Sequence, residues 1–90
     1  MVFSINDKEI LTKLYKYELF RSNEQLRIDV HEIMAGKTNH KFFAVPNQFR
    51  EDRKAKKDYF GFGDSEKEAL QDCLDKIKDL PIQVIIPYDT

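Results

Sequence analysis

The stretch YFGFGDSEKEAL, Tyr59–Leu70, joins a predicted aromatic strand to a predicted helix. The strand ends in two glycines, Gly61 and Gly63, and glycine permits both a turn and a close approach between backbones. Asp64 or Ser65 can cap the first turn of the helix, where acidic side chains also suit the positive end of the helix dipole. The stretch is therefore predicted to be a strand-to-helix corner.

The helix after this corner is predicted from the spacing of its apolar residues. They recur every three or four positions, as they do on the buried face of an amphipathic helix. Pro81 is expected to end the helix. Cys73 lies on the apolar stripe, so we expect a small core residue and not a redox-active thiol. The members of the stripe are Ala69, Leu70, Cys73, Leu74, Ile77 and Leu80.

Two aromatic runs upstream are predicted to form an antiparallel pair of strands. HKFFAVPN spans residues 40–47, and KDYFGFG spans residues 57–63. Aromatic and β-branched residues favour strands. Between these runs, REDRKAKK at residues 50–57 has five basic and two acidic residues. This segment is too long for a tight turn, and we predict an exposed basic loop.

The first third of the chain is harder to assign. DKEILTKLYKYELF, residues 7–20, has the apolar spacing of a helical face, and we predict a helix there. In NEQLRIDVHEIMAGK, residues 23–37, Leu26, Ile28 and Val30 alternate as in a strand, although a helical stripe is also present. We favour the strand, because the turn-forming residues that follow it suit a hairpin.

The end of the chain, PIQVIIPYD at residues 81–89, predicts a short edge strand between two prolines. Together the elements predict one α+β domain over residues 1–90, a small two-layer fold with an antiparallel β-sheet packed on helices. The predicted order is α-β-β-β-α-β. The alternative is α-α-β-β-α-β, which applies if residues 23–35 are helical.

The composition argues against several classes of protein. The net charge is −1, so the whole molecule has no general attraction to nucleic acid or anionic lipid. The single cysteine cannot form an internal disulfide. The start lacks the features of a signal peptide, and no apolar run approaches the roughly 18 residues of a membrane span. We expect a cytoplasmic protein.

No pattern of residues indicates catalysis or a bound ion. One cysteine and two separated histidines do not make a zinc ligand set. No serine or cysteine is spaced from a histidine in a way that suggests a nucleophile. The GFG run lacks the glycine pattern of phosphate-binding loops. We therefore predict no enzyme activity, no metal and no cofactor.

The predicted order of elements, with GKTNHKFF between the first two strands and GFGDSEKEAL leading into the last helix, resembles the double-stranded-RNA-binding domain. Gly36 and His40 match that family's minor-groove loop, with one extra residue between them and Lys37 in place of the loop proline. In the last helix Glu66 and Leu70 stand where the family has lysines. Matches at the turn and helix start are Gly61, Gly63, Ser65, Lys67 and Ala69.

This resemblance implies contacts between basic side chains and RNA phosphates, which contribute salt-dependent affinity. Because two of the expected lysines are replaced, the RNA binding that it implies is weak. RNA is accordingly the alternative partner in our prediction. The candidate RNA-binding residues are Lys37, His40, Lys54, Lys56, Lys57 and Lys67.

FAVPN and GFGDSEKEALQDCLDKI are also similar to antitoxins of the HicB type, in which a strand, a glycine turn and an acidic helix recur. This resemblance implies that the chain binds and blocks a partner protein. The matching residues are Asp64, Ser65, Glu68, Ala69 and Leu70.

The function that we predict is a small non-catalytic binding or regulatory module acting by protein–protein interaction, as a monomer or homodimer. Residues 64–79 have six acids against three lysines, which gives the helix an acidic exposed side. Strand alternation sends some aromatic rings to the open face of the sheet, where they can contact a partner. The candidate protein-contact residues are Phe42, Tyr59, Glu66 and Asp72.

Overall fold

The computed structural model describes residues 4–21, 24–48, 53–54 and 57–86. These residues form a small α+β fold in which one antiparallel sheet packs against two helices. In chain order the elements are β1 Leu11–Phe20, β2 Gln25–Ala35, β3 Phe42–Gln48, β4 Arg53–Lys54, a 3-10 turn Lys57–Tyr59, β5 Gly61–Gly63, α1 Glu66–Ile77 and α2 Ile82–Ile85.

The sheet is built around β2, which lies between β1 and β3. Residues 26–30 of β2 face residues 15–19 of β1, and residues 27–32 of β2 face residues 42–47 of β3. The far side of β3 pairs with β4 near one end and with β5 near the other. The edges of the sheet are therefore β1 on one side and the short strands β4 and β5 on the other.

The core lies between one face of this sheet and the two helices. Leu26, Ile28 and Val30 of β2 point into it from the centre of the sheet and are almost completely buried. On the neighbouring strand, Tyr15 and Tyr17 pack against the same cluster and are partly buried. The buried cluster consists of Leu26, Ile28, Val30, Ala44, Ala69, Cys73, Ile77, Ile82, Ile85 and Ile86.

α1 confirms the helix predicted after the glycine turn. Ser65 is its N-cap, and the Ser65 hydroxyl accepts a hydrogen bond from the Glu68 amide at 3.1 Å. The Glu68 carboxylate in turn accepts from the Asp64 amide at 3.0 Å. Of the predicted stripe, Ala69, Cys73 and Ile77 are buried, and Leu70 and Leu74 are partly buried. Leu80 lies beyond the helix, which ends at Ile77 and not at Pro81 as predicted.

The two glycines of β5 allow α1 to pack directly on the strand, as their sequence context predicts. A Cβ atom at Gly61 would overlap the Ala69 carbonyl oxygen and the Cys73 amide nitrogen of the helix backbone. A Cβ atom at Gly63 would lie 2.6 Å from the Cβ atom of Glu68. Neither position has room for a side chain, so glycine is required by the short distance between strand and helix.

The predicted N-terminal helix is wrong. Residues 11–20 form β1, which pairs with β2 along its whole length. The same residues fit both the helical period and the strand period, because Tyr15, Tyr17 and Leu19 also alternate as in a strand. Pairing with β2 brings these three side chains onto the core face. Burial against a distant segment outweighs the local helical spacing in this part of the chain.

The predicted terminal strand is also wrong over the residues that the structure describes there. Residues 82–85 form the single-turn helix α2. The amides of Val84 and Ile85 bond to the Pro81 carbonyl. One turn places Ile82, Ile85 and Ile86 on the same side, where all three are buried. The rest of the predicted strand, residues 87–89, lies outside the described residues.

The predicted strand at residues 26–30 is confirmed by β2, and the predicted antiparallel pairing of the two aromatic runs is confirmed by β3 and β5. The second run is a strand only at Gly61–Gly63, because Lys57–Tyr59 forms a 3-10 turn. The order α-β-β-β-α-β is nevertheless wrong. So is the alternative α-α-β-β-α-β, because strands occupy the first third of the described chain and both helices follow the sheet. The first helix required by the double-stranded-RNA-binding domain is replaced by β1.

Candidate functional site

The outer face of the sheet, opposite the helices, has a continuous line of large side chains. Strand register places Phe62 of β5 beside Phe43 of β3, then His31 of β2, then Leu14 of β1. These residues alternate with core residues along each strand, so they point away from the helices. His40, from the loop before β3, extends the line beyond Phe62. We call these five residues the outer row.

The rings of the outer row contact one another. The rings of His31 and Phe43 are stacked, with centroids 4.5 Å apart and an angle of 10° between their planes. The rings of His40 and Phe62 are tilted by 33° at a centroid distance of 4.8 Å. The Thr12 hydroxyl lies 2.9 Å from Nδ1 of His31. Ring pairs in such offset and tilted arrangements are favourable beyond their burial alone.

The row is exposed at both of its ends. The Phe62 side chain is 39% exposed and Leu14 is 42% exposed, while His31 and Phe43 in the middle are half-buried. At the Phe62 end, the Lys76 ammonium lies 5.4 Å from the ring centroid and donates to the Phe60 carbonyl at 2.8 Å. The rim of the row at this end is therefore polar and cationic.

Asp72 of α1 fixes the position of Phe62. Its carboxylate accepts a hydrogen bond from the Phe62 amide at 2.9 Å and forms a 3.0 Å ion pair with Lys76. The hydrogen bond from the Phe62 amide, followed by the hydrogen bond and charge of Lys76, lowers the pKa of Asp72 below its ordinary value. Asp72 and Lys76 together occupy an outward amide and an outward carbonyl of the β5 edge, which protects that edge from pairing.

The lowered pKa of Asp72 predicts an acid-sensitive contribution to folding. A lowered native pKa gives stability that is present above the ordinary pKa and is lost as the pH falls through the native pKa. Asp72→Ala should destabilise the protein by under about 1 kcal/mol at pH 7, because the ion pair is exposed. The difference from the unmodified protein, measured by urea melts, should shrink below about pH 4. A difference independent of pH would contradict this role of the carboxylate.

A second polar contact lies beside the outer row on the same face. Asn47 donates to Oδ2 of Asp29 at 2.6 Å, while Oδ1 of Asp29 is buried and has no hydrogen-bond partner among the described residues. Val45, which faces Asp29 across the strand pair, is only 6% exposed. This part of the outer face is therefore closely packed, whereas Phe62 and Leu14 of the outer row are exposed.

The predicted RNA-binding residues lie on separate elements. Lys37 is exposed in the loop between β2 and β3, Lys57 is exposed in the 3-10 turn, and Lys67 is exposed in the first turn of α1. Lys54 belongs to β4, and Lys56 lies outside the described residues. Only His40 among the candidates has a described ring contact, which it makes with Phe62.

The predicted protein-contact residues are also divided between the two faces. Phe42 and Tyr59 pack against the core cluster and are partly buried. Glu66 is half-buried in the first turn of α1. Asp72 holds Phe62 at the edge of the outer row. Sequence reasoning missed His31 and Leu14 as neighbours of the rings. His31 is aligned by the register of β2 with β3, and Leu14 by the register of β1 with β2, where the sequence predicts a helix.

Arg21, at the end of β1, ties the first hairpin to the end of α1. Its guanidinium donates to the Leu80 carbonyl and, at 2.8 Å, to the Ile77 carbonyl. A cation at this position suits the negative end of the helix dipole. Shallow grooves lie on both sides of Arg21. Its guanidinium already donates to the two carbonyls. We assign it a structural role.

The described residues contain little that suggests catalysis or metal binding. Cys73 is buried beneath α1, and desolvation, followed by the charge of Asp72, raises the pKa of its thiol to about 12. Among residues 4–21, 24–48, 53–54 and 57–86, no three His, Cys, Asp or Glu side chains converge as metal ligands. In the same part of the chain, no helix is long and apolar enough to cross a membrane.

Among the described residues, the outer row, bordered by Lys76 and Asp72, is thus the candidate binding surface. Comparison of the chain with models of protein families, with characterised proteins and with solved structures found no match.

Proposed function

We propose that this protein is a small, non-catalytic binding module that recognises another protein through the outer row of its sheet. The observation that supports this proposal most directly is the line of side chains from His40 to Leu14, which crosses four strands on the face opposite the helices. We further infer from the single cysteine that the module works in a reducing compartment.

The composition of the outer row suits a protein partner. Aromatic side chains are enriched in protein interfaces, where a rigid ring contributes much contact area at a small cost in conformational entropy. The stacked rings of His31 and Phe43 are already ordered. At the Phe62 end, Lys76 and Asp72 supply a polar rim of both signs around an exposed ring. An apolar centre with a polar rim is the usual anatomy of such an interface.

The charge distribution favours a protein over RNA as the partner. The candidate lysines in the described residues are divided among a loop, the short strand β4, a 3-10 turn and a helix. Glu66 and Glu68 lie in the same first turn of α1 as Lys67. Binding to an RNA backbone depends on cations that neutralise successive phosphates. Capture of RNA through the exposed rings would give a crosslinked species that is sensitive to RNase.

Photo-crosslinking in the native cell tests the proposal. A photoreactive phenylalanine analogue at position 62 should crosslink to a protein, whereas the same analogue at position 84 should not. Val84 is a matched control, because its side chain is 43% exposed and it lies on α2, away from the outer row. The crosslinked band should persist after treatment with RNase.

The identified partner should then bind the purified module, and Phe62→Ala should weaken that binding about tenfold or more, as loss of an interface aromatic does. Val84→Ala should bind like the unmodified protein. Equal crosslinking from positions 62 and 84, or a crosslinked species that disappears with RNase, would refute recognition of a protein by the outer row.

A further inference from the structure

The two edges of the sheet differ in whether other parts of the fold bond to their outward backbone groups. At β5, Asp72 and Lys76 bond to the outward amide of Phe62 and the outward carbonyl of Phe60. At β1, no strand in the described part of the chain pairs with the outer side. A long strand with an unpaired edge is a template for pairing with another chain. β1 has ten residues.

The outward backbone groups of β1 belong to its even-numbered residues. At the end of the hairpin, the Arg21 amide donates to the Glu24 carbonyl at 2.8 Å. Antiparallel pairs alternate between residues that bond across the pair and residues that bond away from it. From Thr12 to Phe20 the register is regular. Leu14, Lys16, Glu18 and Phe20 therefore direct their amides and carbonyls towards the open edge.

Two copies of β1 can pair antiparallel across a twofold axis perpendicular to the sheet. Each face of the sheet then continues into the same face of the second copy. With Tyr17 on the axis, Lys16 lies opposite Glu18, and Leu14 lies opposite Phe20. The apolar pair brings together two exposed hydrophobic side chains of the fold, since Leu14 is 42% and Phe20 is 69% exposed.

The neighbouring registers lack this complementarity. A shift that places Lys16 on the axis sets Lys16 opposite its own copy and Leu14 opposite Glu18. A shift that places Glu18 on the axis sets Glu18 opposite its own copy. Like charges directly opposite one another in a sheet are destabilising, whereas opposite charges and apolar pairs are favourable. Strand register is fixed by such pairs.

We propose that the protein forms a homodimer through β1, with residues 14–20 of one copy paired antiparallel to residues 14–20 of the other and Tyr17 on the twofold axis. The pairing ends at these residues because the next position would set Lys13 opposite Arg21, which is already bonded to α1. On the helix side, Tyr15 lies opposite Leu19. The two sheets become one continuous sheet.

The dimer also extends each outer row by one side chain across the interface. Leu14 is the β1 end of the row in one copy, and in this register it contacts Phe20 of the second copy. The two rows remain offset, because Phe20 and Leu14 of the same copy are six residues apart along β1, roughly 20 Å. The proposal does not rest on the proposed function, since it depends only on the β1 edge.

Sedimentation equilibrium of the purified chain and of its charge variants tests the interface. The unmodified protein should dimerise. Lys16→Glu and Glu18→Lys should each raise the dimer dissociation constant about tenfold or more, because each sets like charges opposite at both symmetry-related positions. An equimolar mixture of the two variants should dimerise again, since each charge at the interface then faces its opposite on the other chain. Circular dichroism checks that both variants fold.

The register itself is tested by cysteine substitution. Tyr17 on the axis belongs to a non-hydrogen-bonded pair, in which facing residues are close enough for a disulfide. Tyr17→Cys should crosslink under mild oxidation, and Tyr15→Cys, which faces position 19, should not. Cys73 is buried and gives no background. Any of three results would overturn the proposal. They are an unmodified protein that is monomeric at about 100 μM, single charge variants that remain dimeric, and equal crosslinking at positions 15 and 17.

Discussion

Gly61→Ala is expected to destabilise the protein by about 3 kcal/mol or more, at the upper end of the cost of overpacking. The added Cβ atom would overlap the Ala69 carbonyl oxygen and the Cys73 amide nitrogen, and it would lie 2.8 Å from the Cys73 Cβ atom. Two of these atoms belong to the helix backbone. They cannot rotate away as a flexible side chain could, so α1 must move off β5 as a unit.

Urea melts of the Gly61→Ala variant measure this loss directly. Phe62→Ala is the matched control, because it changes the next residue of the same strand on the exposed face. We expect that control to lose about 1 kcal/mol, from strand propensity and the Lys76 contact. Comparable losses for the two variants would show that α1 does not depend on its close approach to Gly61.

Ile77→Ala is expected to cost about 3–4 kcal/mol, because this side chain is 1% exposed within the core cluster and its truncation leaves a cavity. Leu70→Ala should cost about half as much, since Leu70 is only partly buried at the margin of the cluster. Lys67→Ala should cost under about 0.5 kcal/mol, because its side chain is exposed.

The three substitutions form a graded series along α1, and urea midpoints with unchanged slopes would rank them. The comparison between Ile77 and Leu70 is the informative one. From the sequence alone the two residues belong to the same apolar stripe, whereas the structure separates the centre of the stripe from its margin. A Leu70→Ala loss equal to that of Ile77→Ala would place α1 in a different rotation about its axis.

The parts of the fold that could be predicted are those specified by local sequence. α1 has a capping serine, an apolar stripe and acidic residues in its first turn, and all of these act within a few residues of one another. β2 could be predicted, although its residues also contain a helical stripe, because the turn-forming residues after the alternating Leu26, Ile28 and Val30 suit a hairpin. In both cases the local pattern and the tertiary packing favour the same structure.

β1 could not be predicted because its side chains satisfy two periods at once. Ile10, Leu14 and Tyr17 have helical spacing, and Tyr15 and Leu19 alternate with Tyr17. The choice is made by β2, which offers a matching apolar face in an antiparallel register. Such long-range pairing has no local sequence pattern of its own. The aligned side chains of the outer row share this origin, since three separate registers bring them together.

α2 could not be predicted because its local sequence favours the wrong structure. Its β-branched residues favour a strand by propensity, but Pro81 accepts two amide bonds that begin a helical turn. That single turn buries Ile82, Ile85 and Ile86 together. In a strand, Ile85 and Ile86 would point to opposite faces of the sheet. Burial of all three side chains accounts for the turn, and this depends on a hydrophobic surface that only the folded sheet provides.

Because Cys73 is buried, labelling of its thiol can be used to measure an opening motion of the molecule. The thiol packs beneath α1 where the helix meets Gly61, so a labelling reagent reaches it only after these two elements separate. Its raised pKa further slows reaction of the closed state. The labelling rate of the native chain therefore measures the free energy of that opening. Comparison with global unfolding reveals whether the helix detaches alone or with the whole domain.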